Sequence, residues 1–189
     1  MPSRPLRVLG IDPGSVCAGW GLVSGHGTKI RFEAGGVLRP PAKGDLPARL
    51  RFLHAELSRL TTELRPDAVA VESVFHAKHA RSALILGHAR GVLVLAATTT
   101  EAPLYEYAPT QVKKAVTGSG RANKEQVRKM VQMLVGKRIE GPHDQSDALA
   151  VAICHVHSAG FHERRIEAEA RMAEAERRAK AKRRARSAG

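Results

Sequence analysis

Four carboxylates stand at the edges of apolar stretches in a chain that is otherwise strongly basic. Asp12 closes the run Leu6–Ile11, and Glu72 closes Asp67–Val71. Asp144 and Asp147 lie three residues apart at the start of a third apolar segment. Carboxylates gathered at one place repel and raise one another's pKa. A divalent cation removes that conflict. Mg²⁺ takes oxygen ligands and keeps several waters, so few carboxylates suffice to hold it. A pair of such ions ~3.5–4 Å apart can activate water on one side of a phosphodiester and stabilise the leaving oxygen on the other.

Taken singly, each acid also has a plainer role. Asp12 lies in IDPGS, and Asp-Pro-Gly is a turn former. Glu72 could mark a strand end. Asp144, near a helix start, gains from the helix dipole. Asp147 is one turn further in and shares its face with Val151 and Cys154, so a structural reading suits it least. His143 adjoins Asp144 and leaves room for a catalytic or metal role. The joint pattern favours metal chemistry over four separate structural roles.

The elements that must position these acids can be read from periodicity. Leu6–Ile11 is a buried-strand pattern, and two further strands follow within a glycine-rich stretch that ends at Leu38. Leu46, Leu50, Leu53, Leu57, Leu60 and Leu64 recur at helical spacing. Asp67–Glu72 is again strand-like. Helical patterns cover 77–98, 109–116, 124–135 and 144–157, with a short strand at 103–107. This order predicts an α/β fold with a mixed sheet and helices on both faces. If the strands carrying Asp12 and Glu72 are parallel neighbours, their carboxylates meet at the carboxyl edge, where open α/β sheets place ligands.

A chain of 189 residues fits one domain, expected over 1–160, with an appendage at 161–189. The appendage is rich in Ala, Arg, Lys and Glu and has no face to bury, so an extended helix or disorder is expected there. The formal net charge is +13, and residues 161–189 supply +5 of it. The remaining excess belongs to the body and points to an anionic partner, nucleic acid first. No apolar run approaches the ~20 residues of a membrane span. No secretory signal pattern opens the chain. Cys17 and Cys154 form no CxxC motif and suit a reducing compartment as small buried residues. A cytoplasmic protein without membrane contact is expected.

GIDPGS (10–15), VESVF (71–75), QVKKAVTGSGRANKEQV (111–127) and HDQSDALAVA (143–152) resemble the RuvC family of Holliday-junction resolvases. The resemblance runs in unbroken order over about residues 6–158. It implies a ribonuclease-H-like fold with a five-stranded mixed sheet, a homodimer and Mg²⁺, with up to two ions per site. It implies that Asp12, Glu72, Asp144 and Asp147 are the metal-binding catalytic acids. Some members carry a histidine at the third acid; here Asp144 keeps the three-residue spacing to Asp147. Phe75 matches an aromatic that touches unpaired DNA. Lys113 and Lys124 match basic residues near the scissile phosphate, and Lys114 and Arg121 join them as expected DNA contacts. Lys78, Arg81, Arg90 and Arg128 belong to the wider basic set. Gly118 and Gly120 suggest a loop that approaches DNA closely. Gly87 and Gly91, one turn apart, suit close helix packing at a dimer contact. The implied activity is paired nicking of opposed strands of a four-way junction, beside the RuvA–RuvB branch-migration machinery. Two rivals share these acids or this charge: a ribonuclease-H-like nuclease for another nucleic acid, and a junction-binding protein without catalysis.

Overall fold

A computed structural model of the chain describes residues 4–73, 80–159 and 172. The chain divides into two compact units, Met1–His157 and Ser158–Gly189. The sheet lies in the first. Its strands are β1 (Leu6–Asp12), β2 (Ala18–His26), β3 (Lys29–Leu38), β4 (Ala68–Glu72) and β5 (Leu104–Tyr107). Their spatial order is β3-β2-β1-β4-β5. β2 runs antiparallel to β1 and to β3, whereas β1–β4 and β4–β5 are parallel. The mixed sheet expected from the sequence is therefore present.

The helices are α1 (Leu46–Leu64), α2 (Ala80–Ala97), α3 (Pro109–Thr117), α4 (Lys124–Val135) and α5 (143–159). Each boundary has a local cause. The Asp45 side chain accepts from Ala48 N at 2.8 Å and caps α1. Asn123 and Gln126 form a reciprocal capping box at α4, and Gly136 in the left-handed region (φ 63°) ends it. Gly118 (φ 79°) ends α3 in the same way. The 118–121 segment is thus a capped turn.

Strand alternation divides the core. Leu9, Ile11, Val69 and Val71 face Leu53, Leu57 and Leu93 of α1 and α2. Val8 and Ala70 face the other way, toward Val112, Val131, Leu149 and Ile153 of α3, α4 and α5. Gly10 shares this second face. A Cβ on Gly10 would lie 2.0 Å from the Ala148 carbonyl oxygen, and one on Gly19 would lie 1.9 Å from the Asp144 carbonyl oxygen. The backbone of α5 therefore lies directly on β1 and β2, which only glycine allows.

One helix meets the length and mean composition of a membrane span although Arg81, His88 and Arg90 interrupt its apolar run. α2 is 18 residues long with a mean hydropathy of 1.3, long and apolar enough by length and composition to cross a bilayer. Its placement explains the composition. β4 and β5 are parallel neighbours, so the helix between them must run back along the sheet. It buries Ala89, Leu93, Ala96 and Ala97 there. Its other side remains apolar and exposed, with Leu84 at 66% and Leu95 at 60%.

Gly10→Val is expected to cost about 3 kcal/mol or more, because the new side chain collides with backbone that cannot yield. Asp45→Ala, which removes one helix cap, is expected to cost only about 1 kcal/mol. Urea denaturation of both variants checks the contrast.

Candidate metal and nucleic-acid site

Asp12 is the last residue of β1, and Glu72 is the last of β4. The two strands pair in parallel with Ile11 opposite Val71, so these acids are the next pair in register. Both share parity with Gly10 and Ala70, which face α5. That helix brings Asp147 to the same place. Asp12, Glu72 and Asp147 line one cavity of about 280 Å³ with Lys113 of α3 and Lys124 of α4. Val112, Val127 and Ala150 complete its apolar wall.

The electrostatics are those of acids crowded away from water. Burial first, then the charges of Asp147, Glu72 and Asp144, push the Asp12 carboxyl up to about 8. Burial and then Asp147 raise Glu72, with Lys124 and Lys113 opposing. Lys124 Nζ lies 3.3 Å from Asp147 Oδ2, and that carboxylate raises the lysine pKa. Asp144 acts on Asp12 but stands outside the cavity wall. Its charge also acts on the Cys17 thiol, whose pKa rises through burial and then through Asp144. Cys17 is accordingly half-buried at the edge of the site, unlike Cys154, which lies in the core. The expectation of two small buried residues holds for Cys154 alone.

The donor set fits a hard cation: oxygen ligands only, poorly hydrated, and repelling one another. Among the described residues, no group of three or more His, Cys, Asp or Glu side chains is placed to hold a metal ion by itself. Three acids in an open cavity leave positions for water and substrate oxygens instead.

The chain matches the family model for crossover junction endodeoxyribonuclease RuvC over residues 8–155. The chain belongs to the RuvC family. Crossover junction endodeoxyribonuclease RuvC of Trichlorobacter lovleyi is 51% identical over 154 residues, covering 81% of this chain and 86% of that protein. The protein of the same name from Magnetococcus marinus is 42% identical over 166 residues, covering 88% and 92%. The solved structure of T. thermophilus RuvC in complex with Holliday junction substrate superposes with a TM-score of 0.78 at 36% identity, covering 83% of this chain and 96% of that one. The yeast mitochondrial resolvase Ydc2, 14% identical with a TM-score of 0.60, shares the fold. The five-stranded mixed sheet and flanking helices agree with a ribonuclease-H-like fold, and a RuvC-family nuclease is metal-dependent.

The remaining residues singled out in the sequence distribute unevenly around this RuvC-family site. Lys114 and Arg121 are exposed on α3 and on the turn after it. His143 is exposed at the start of α5. Phe75 and Lys78 lie outside the described residues. Arg90 and Arg128, grouped with the phosphate-contacting cations, are engaged within the protein. Arg90 pairs with Glu106 at 2.7 Å, and Arg128 donates to the carbonyls of Ile139 and Gly141. Cys17 escaped the sequence reading because nothing in its spacing links it to Asp144. The seating of α5 on β2, where Gly19 meets the Asp144 carbonyl, brings the two together.

The raised Asp12 pKa has a consequence for stability. The folded carboxyl binds its proton more tightly than the unfolded one, so the metal-free protein loses stability as pH rises from the ordinary value of 3.8 toward 8. The penalty is absent below that window and complete above it. Asp12→Asn is expected to stabilise the metal-free protein by a few kcal/mol (order of magnitude) near pH 9, and not near pH 4. Urea midpoints across this range, without divalent ions, measure the difference.

Proposed function

We propose that Asp12, Glu72, Asp144 and Asp147 are the metal-binding catalytic carboxylates of this crossover junction endodeoxyribonuclease, and that Mg²⁺ is the ion they hold. The observation that carries this reading is the shared cavity: three acids from β1, β4 and α5 face one space beside two lysines. A bound divalent cation, singly or as a pair, would supply charge neutralisation and a polarised water for phosphodiester hydrolysis.

The chain's own residues then have distinct tasks. Asp12 and Glu72 sit on adjacent strand ends, so the rigid sheet fixes their separation. Asp147 is held by α5 and is set against Lys124. Asp144, one turn before Asp147 on α5, adds negative charge to Asp12. Lys113 and Lys124 offer cations to the phosphate that enters the cavity. Lys114 and Arg121, exposed on α3 and the turn after it, extend the contact along the backbone without reading sequence. Phe75, three residues beyond Glu72, provides an aromatic surface for unpaired bases at the branch point.

The substrate is four-way junction DNA, of the kind present in the T. thermophilus RuvC complex. A homodimer suits the approximate two-fold symmetry of such a junction. The exposed face of α2 supports that dimer. Leu84 and Leu95 are bare there, and a Cβ on Gly87 or Gly91 would meet nothing within 4 Å. Small residues between exposed leucines allow close approach of a second helix. Cooperation with RuvA–RuvB and residence in the cytoplasm complete the reading by family.

A synthetic four-way junction should be cut in Mg²⁺ in preference to plain duplex or an RNA–DNA hybrid. Asp12→Asn and Glu72→Gln should each lower the cleavage rate roughly 10²–10³-fold while junction binding persists. Unchanged cleavage in both variants would refute the catalytic assignment. Leu95→Glu is expected to shift the protein from dimer to monomer in analytical ultracentrifugation.

A further inference from the structure

Val16, Arg39 and Arg49 have no part in the site as drawn so far, yet all three attach to its edge. Arg39 directly follows β3, whose last residue Leu38 pairs with Ala18. It therefore stands opposite Cys17, at the edge that carries Asp12, and it is exposed. Neighbouring strands lie ~4.8 Å apart, which puts the Arg39 backbone about 10 Å from the end of β1. Its charge reaches the Cys17 thiol.

The turn between Asp12 and Ala18 is tightly built. A Cβ on Gly14 would lie 1.8 Å from the Cys17 carbonyl oxygen. Arg49, in the first turns of α1, donates to the Ser15 carbonyl. A cation near a helix N-terminus opposes the helix dipole. Its engagement with Ser15 gives that placement a purpose: α1 braces the turn. At the tip of the braced turn Val16 is 71% exposed. Lys113 and Lys124 line the cavity together with the acids. A DNA strand lying over Asp12 thus meets these lysines and also this turn, which begins at the residue after Asp12.

We propose that the Pro13–Cys17 turn, braced by Arg49, is a second DNA-contacting wall of the site, with Val16 against the sugar–base face of a nucleotide beside the scissile phosphate and Arg39 on a flanking phosphate. Val16 and Arg39 are then substrate-contacting residues, and Arg49 is a positioning residue. A β-branched side chain on a fixed turn suits this task, since it has little rotamer freedom to lose.

This inference rests on junction cleavage as the activity of the site, and the test separates the two. Affinity for a fluorescent four-way junction is measured across a salt series without divalent ions, and cleavage is measured with Mg²⁺. Arg39→Ala should lower the salt slope by about 0.9 and weaken binding, while Arg39→Lys keeps the slope. Val16→Asp should lower kcat/KM roughly tenfold or more, because a carboxylate would face the DNA backbone. Both positions are exposed, so melting temperatures should match the wild type. Wild-type affinity, slope and cleavage in both Arg39→Ala and Val16→Asp, from a parent that cuts the junction, would overturn the wall alone. A parent that neither binds nor cuts would overturn the functional reading together with it.

Discussion

The seating of α5 on the sheet is the constraint on which the rest depends. β1 and β2 present Gly10 and Gly19 to it, and the helix backbone lies where side chains would otherwise be. Helix and sheet commonly meet through interleaved side chains, which set them well apart. Here the gap closes to backbone contact at two points, one of them the carbonyl of Asp144 itself. That closeness lets an acid on a helix share a space with acids on two strand ends. A methyl group at position 10 would lift α5 and separate Asp147 from Asp12 before any ligand was altered.

The same closeness sets up an electrostatic opposition. Asp12 is disfavoured as an anion by burial and by three neighbouring acids. Lys113 and Lys124 relieve Glu72 in part. Lys124 is itself exposed along most of its length and is paired with Asp147. The cleft is thus a region where negative charge is costly within and positive charge stands at the rim. Arrangements of this kind attract hard cations inward and polyanions to the mouth.

Much of this was legible in the sequence, for identifiable reasons. The leucines of α1 repeat at helical spacing over nineteen residues, so its existence and extent were readable. Asp12 and Glu72 were readable because each ends a buried strand. Other features depend on tertiary contacts that no local pattern encodes. Arg90 and Arg128 look like any surface cations until the fold brings Glu106 and the Ile139 carbonyl beside them. The apolar composition of α2 shows no periodicity that separates its buried side from its bare one. Cys17 and Arg39 meet only through the β2–β3 register.

The origin of the acids along the chain carries a further implication. Asp12 comes from the first strand made, Glu72 from the fourth, and Asp144 and Asp147 from a helix that closes the Met1–His157 unit. A nascent polypeptide still on the ribosome holds only part of the set, and a proteolytic fragment lacking α5 holds no more. With the four acids in the role proposed for them, an enzyme that severs DNA strands is in this way inert until synthesis of its domain is complete. The long sequence separation of the proposed ligands acts as a safeguard against half-made scissors.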